Sequence, residues 1–170
     1  MSPHEAIRDA AHRYSRGVDR LDAELMKSSY WPDAIDDHGV YVGNAMAFCD
    51  RVVSSHGRFT ATMHCVLNHA IEIDDETTAH GEVYNVTYLH RTDDQGQRWL
   101  DTWWGRYLDR YERRELPDDG GGGREDWRIA HRTCVHEWTR SEHVDAAMPI
   151  AADRFRQGST DRGTSTPLGR

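Results

Sequence analysis

The chain has 170 residues, enough for one domain with a sizeable core, and 37% of them are hydrophobic, with six Trp and seven Tyr. Its 29 acidic residues outnumber 21 Lys and Arg, Lys27 being the sole lysine, for a net charge of −8 that argues against non-specific binding of nucleic acid or anionic membranes. No apolar run approaches the roughly 18 residues of a membrane span, and MSPHEAIRDAAHRYS lacks the apolar core of a signal peptide, so a cytoplasmic protein is expected.

Ile7, Ala10, Ala11, Tyr14, Val18, Leu21 and Leu25 recur at spacings of three and four, which predicts an amphipathic helix over about residues 4 to 20. Asp22, before AELMKSSYW, is placed to cap a second short helix, and Pro32 ends helical structure. HGVYVG reads as a short strand. NAMAFCDRVVSS, residues 44–55, reads as a helix with Asn44 as a cap. From residue 60 the texture is that of long strands: TATMHCVLNHAIEID, TAHGEVYNVTYLHRT, QRWLDTWWGRYLDRYERR and DWRIAHRTCVHEWTR. The turn chemistry of DDET, DDQG and PDDGGGG separates them, so they form an antiparallel meander. The fold class is α+β, a curved sheet wrapped around N-terminal helices. The segment from about 141 to 170 is poor in apolar residues and reads as a largely disordered tail.

Four side chains are candidates for chemistry. His64 lies in an apolar setting between Met63 and Cys65, where a histidine oriented by a carboxylate acts as a general base. His69 is five residues on, so in a regular strand the two point to opposite faces, which argues against a shared metal. No HExxH or CxxC spacing occurs, and Cys49, Cys65 and Cys134 read as free buried thiols; no metal site is expected. Two aspartates flank the helix end. In an unbroken helix Asp22 lies nearer the apolar stripe; if the helix breaks near residue 20, Asp22 caps the next turn and Asp19 faces inward. Arg132 alternates with Ala130 and Cys134, so its guanidinium shares a buried face and needs either a carboxylate partner or a bound anion. Tyr14, Trp103, Trp104, Tyr107 and Trp138 supply aromatic surface for the core or for an apolar pocket. The acidic pair Asp36–Asp37 reads as solvated turn residues. The GGGG at 120–123 has no following Lys-Ser/Thr and reads as a hairpin insertion, not a phosphate loop.

The layout YSRGVDRLDAELMKSSYWPDA, TMHCVLNHAIEIDDETTAHGEVY, YLDRYERR and DWRIAHRTCVHEWTR resembles the SnoaL-like branch of the nuclear transport factor 2-like superfamily over about residues 5 to 140. Within it, the pattern is most similar to the scytalone dehydratase, bile acid 7α-dehydratase and hexachlorocyclohexane dehydrochlorinase group. The resemblance implies a cone-shaped α+β barrel over residues 1–140, followed by the tail. It implies a dyad of Asp19 and His64, with Asp22 left to cap. It places Tyr14 in an arrangement like that of the bile acid dehydratase, and Arg132 where the dehydrochlorinase has a functional arginine. The lysine that the dehydrochlorinase carries is absent, since position 14 is Tyr, so the resemblance leans toward loss of water.

The expected activity is therefore that of a cofactor-independent lyase or isomerase acting on a small hydrophobic cyclic substrate. The alternative is a noncatalytic binding or assembly protein of the same fold, including a partner like a dioxygenase small subunit. Aromatic residues on the outer face of a curved sheet, together with the resemblance, imply a homo-oligomer, a dimer or trimer.

Overall fold

The structure is a computed structural model that describes residues 1–116 and 123–144. Helix α1 (Pro3–Arg20) opens with a capping box: Ser2 Oγ accepts from the Glu5 N–H, and Glu5 accepts from the Ser2 N–H at 2.7 Å. Its buried stripe is the predicted one, Ile7, Ala10, Ala11, Tyr14 and Val18. Gly17 belongs to the same face. A Cβ there would lie 2.5 Å from Met26 Cγ and 2.7 Å from the Met26 backbone nitrogen, so only glycine lets helix α2 (Ala23–Lys27) pack this close. The helix breaks at Leu21, which takes the left-handed conformation with φ 50°. That break turns the chain so that Asp22 caps α2, accepting from the Leu25 N–H at 3.1 Å.

Strand β1 (Tyr30–Asp37) is an element that the sequence pattern did not suggest. Its alternation is inverted for a water-soluble sheet: Ala34 and Asp36 point into the core while Ile35 is exposed. Pro32 falls where the pairing of β1 with the last strand shifts register between Tyr30 and Ile35, a site at which a missing N–H is tolerated. The expected strand HGVYVG is mostly turn, with Gly39 at φ 73°, and only β2 (Val42–Asn44) is extended. Asn44 then caps helix α3 (Ala45–His56), as its sequence predicts.

The four long strands follow: β3 (Ala61–Ile73), β4 (Thr78–Thr92), β5 (Arg98–Glu115) and β6 (Glu125–His143). They form the expected antiparallel meander. β1 then adds to β6 in parallel, giving a mixed open sheet in the order β2-β1-β6-β5-β4-β3. The three helices pack on its inner face, and Ile7, Val18, Met26, Phe48, Val83, Tyr111 and Ile129 belong to the single core between them. This is the α+β cone that the sequence predicts. β6 continues past residue 140 to His143; the rest of the proposed tail, from 145, and residues 117–122 of the glycine-rich hairpin lie outside the described residues. Among the described residues, no helix is long and apolar enough to cross a membrane.

Candidate functional site

Asp19 projects from the last turn of α1 and His64 from the start of β3, and the two side chains meet. His64 Nδ1 lies 2.7 Å from Asp19 Oδ1, and the His64 backbone N–H donates to Asp19 Oδ2 at 2.8 Å. Because a carboxylate only accepts, Nδ1 carries a proton, so in the neutral ring Nε2 is the nitrogen that holds the lone pair. Burial alone would raise the pKa of Asp19. The hydrogen bonds and charge of His64, with a contribution from Thr62, outweigh it and hold the carboxyl below its ordinary range. The helix break at Leu21 decides between the two aspartates: Asp22 is engaged in capping and Asp19 faces the strand.

His64 opens onto a cavity of about 340 Å³ whose walls include Val18, Val40, Phe48, Val52, Leu89 and Trp103. Tyr14 lines the same cavity, 3% exposed, with its hydroxyl 3.4 Å from His38 Nε2. Burial, reinforced by Tyr107 and Asp36, pushes the Tyr14 pKa well above 10, so the group remains a hydroxyl at neutral pH. A larger groove of about 750 Å³ runs along the outer face of the sheet beside Leu108, Arg110 and His131, but neither Asp19 nor His64 borders it. The inner cavity is the candidate site.

Arg132 is placed differently from the other three candidates. It is 0% exposed and does not border the cavity. Its Nε and one terminal nitrogen donate to the two oxygens of Asp109, each at 2.7 Å, and the other terminal nitrogen lies 3.3 Å from the Tyr30 hydroxyl. Burial opposes its charge, but Asp109 outweighs burial and keeps the guanidinium ionised. The guanidinium carbon lies 4.4 Å from the Tyr14 ring centroid and 4.1 Å from that of Tyr107. The carboxylate-partner alternative therefore holds, and the positive charge reaches the cavity only through the rings that floor it.

Two readings from the sequence need correction. Asp36 is not a solvated turn residue: it is 0% exposed, accepts from the Tyr30 hydroxyl at 2.7 Å and is hydrogen-bonded to His38 Nδ1. Asp37 does serve the turn, accepting from the Gly39 N–H at 2.9 Å. His64 and His69 share a face, because a bulge between Val66 and His69 absorbs one residue; their partners Thr87 and Val83 both lie on the inner side of β4. His69 points to Tyr111, its Nε2 3.3 Å from that hydroxyl, and does not border the cavity of His64.

The sequence reading missed His38 and His136, which both border the cavity. Asp36 and His38 stand two residues apart, the same-face spacing of a strand, and that was the available signal. His136 Nδ1 accepts from Trp103 Nε1 at 2.8 Å, and its Nε2 lies 3.2 Å from the His38 carbonyl oxygen, which ties β6 to the 38–41 turn. Gly105 makes room for this: a Cβ there would collide with the Trp103 indole, which lies along its own strand.

The SnoaL-like domain family matches residues 1–133. No curated protein matches the chain by sequence. Among solved structures, a hexachlorocyclohexane dehydrochlorinase is 19% identical with a TM-score of 0.69, over 86% of this chain and 93% of that one. A candidate scytalone dehydratase from Novosphingobium aromaticivorans is 20% identical with a TM-score of 0.64, over 86% and 92%. The beta subunit of a candidate aromatic-ring-hydroxylating dioxygenase from the same organism is 21% identical with a TM-score of 0.56, over 80% and 90%. With the family match spanning residues 1–133, most of the chain, the protein belongs to the SnoaL-like domain family.

Proposed function

We propose that this protein is a cofactor-independent lyase of the dehydratase type, acting on a small hydrophobic cyclic substrate in the inner cavity. The observation that carries the reading is the Asp19–His64 dyad, whose histidine presents a free Nε2 to an apolar cavity. His64 removes a proton from carbon beside an activating group. Asp19 fixes the tautomer and stabilises the imidazolium that forms. Tyr14 donates a hydrogen bond to a carbonyl or leaving oxygen. Arg132 acts from behind Tyr14 and Tyr107, its charge keeping the floor of the cavity favourable to developing negative charge. Return of the proton to a different carbon would make the same site an isomerase.

The test is a mass-spectrometric and thermal-shift screen of wild type and His64→Ala against cyclic hydroxyketones. Positioned acid–base catalysis contributes on the order of 10²–10⁴-fold, so a compound that loses water with wild type should react at least about 10²-fold more slowly with the variant while still binding. Compounds that bind both proteins equally and emerge unchanged would overturn the reading.

A noncatalytic subunit is the second reading, supported by the likeness to the dioxygenase beta subunit. The outer face of the sheet favours association of either kind: Met63, Tyr84, Tyr88, Leu108 and Trp138 are exposed there, and Trp138 stacks on Trp104 with ring centroids 5.3 Å apart. We infer a homo-oligomer that buries this face. Co-purification with a larger redox subunit would instead favour the second reading.

A further inference from the structure

The geometry points to a second acid–base group in the cavity: His38, held by Asp36 and hydrogen-bonded to Tyr14, supplies the proton that a leaving hydroxyl takes up, which makes the substrate a β-hydroxy carbonyl compound. This rests on the lyase reading above and names its acid and its substrate class.

Four observations carry it. Asp36 is a fully buried carboxylate on a core-facing strand position, a costly placement that two donors, Tyr30 and His38, satisfy. His38 Nδ1 faces that carboxylate while Nε2 faces the Tyr14 hydroxyl at 3.4 Å, so carboxylate, imidazole and hydroxyl stand in order on this wall. The His38 ring stacks on Phe48 at 4.4 Å between centroids and borders the same cavity as His64. The 38–41 turn has its own fastenings, Val40 N–H to the His38 carbonyl at 2.8 Å, Gly39 N–H to Asp37 at 2.9 Å and the His136 contact, so Asp36 is not needed to hold it.

Helix α1 carries both arms. Tyr14 meets His38 and Asp19 meets His64, five residues further along, or about 7.5 Å of helix rise. His38 and His64 therefore enter the cavity from different positions along α1, alongside His56 and His136 in its lining. A base alone suffices when the leaving group is a halide, which departs as a stable anion. Hydroxide does not, and a dedicated acid is what its departure requires.

The step balances as follows in atoms and charge. His64 Nε2 takes the proton from the carbon beside the carbonyl, and the electron pair passes to the carbonyl oxygen as an enolate, which either takes a solvent-exchanged proton back from His64 or returns the pair to form the new C=C bond. The C–O bond breaks as the leaving oxygen takes the Tyr14 hydroxyl proton, and Tyr14 takes a proton from the His38 imidazolium. Water leaves with an enone, His64 is left protonated and His38 neutral, and solvent removes one proton and returns the other.

The experiment uses ¹⁵N-histidine NMR and α-deuterated 3-hydroxycyclohexanone as the probe. The probe should move the ring resonances of both His38 and His64. Asp36→Asn and Tyr14→Phe should shift those of His38 and leave those of His64 in place, which also shows that the variants are folded. A probe that moves His64 alone, or neither ring, overturns the inference. In the reaction, His38→Gln should still exchange the α-deuterons with solvent to within about threefold of wild type, while enone formation falls by about 10²-fold or more. Unchanged enone formation in His38→Gln removes the second acid and leaves the lyase reading standing. Wild-type protein that neither exchanges nor eliminates, although the probe moves both rings, removes the lyase reading and the proton-donor role together.

Discussion

Two buried side-chain pairings, Asp19 with His64 and Asp109 with Arg132, differ in what lies beside them. The first reaches the cavity through His64; the second is sealed, with three donors of its guanidinium given to Asp109 and Tyr30. Their variants should fail in different ways. Arg132→Met strands the Asp109 carboxylate in the core, a loss of about 3–5 kcal/mol in urea unfolding. The double variant Arg132→Met, Asp109→Asn should cost clearly less than the sum of the singles, because it leaves no buried charge unpaired. Asp19→Asn should unfold little, since the partly solvated site keeps the His64 backbone N–H near the side chain, yet lose activity with His64→Ala through the wrong imidazole tautomer. Additive losses in the Arg132–Asp109 cycle would argue against the paired-charge account.

Among the elements, the junction of α1 and α2 governs the site, because it decides which aspartate meets His64. Gly17 sets how closely the two helices approach. Gly17→Ala forces a Cβ to within 2.5 Å of Met26 Cγ and 2.7 Å of its backbone nitrogen, and a backbone atom cannot swing aside. Overpacking of this kind costs typically about 1–3 kcal/mol, so the variant should lower Tm by several degrees, and activity should fall as the Asp19 end of α1 is displaced. A Tm equal to wild type would show that the junction yields more easily than its contacts imply. β1 is the second governing element. Its inverted alternation, with aspartate inward and isoleucine outward, is what brings Asp36 behind His38, the residue that borders the cavity.

The whole molecule should lose stability on the acid side, and the sign follows from its histidines. Burial, with added repulsion from His64 and Arg58 at His56, lowers the pKa of both His56 and His69 from 6.5 to about 4. As pH falls below 6.5 the unfolded chain takes up these protons before the folded one does. The stability lost this way accumulates between pH 6.5 and about 4. Asp19, held below its ordinary range, adds a further loss only at lower pH. Thermal unfolding followed across this range should show Tm falling from pH 7 to pH 4, and His56→Gln should flatten the fall; a slope unchanged in that variant would remove His56 from the account. At the same scale, Trp138→Lys places a charge on the exposed outer face, where Trp138 is 59% exposed in the single chain. Sedimentation should find a smaller species than wild type if that face is the one buried between copies.

The sequence by itself determined the helices and the meander. The three- and four-residue spacing of α1, the caps at Asp22 and Asn44 and the long β-branched and aromatic runs are local signals, and local chemistry enforces them. His64 was legible from its apolar setting, whereas choosing Asp19 over Asp22 needed the family resemblance, because the choice turns on a helix break one residue wide at Leu21. β1 was not legible, since Pro32 and a paired Asp36–Asp37 read as the end of structure, and only pairing with β6, distant in the chain, makes an extended strand worthwhile there. The bulge that brings His64 and His69 to one face, the closure of Arg132 by Asp109 and the meeting of Asp36, His38 and Tyr14 were decided by the tertiary structure alone. Each depends on register and burial across the sheet, and neither quantity is written in the order of residues along one strand.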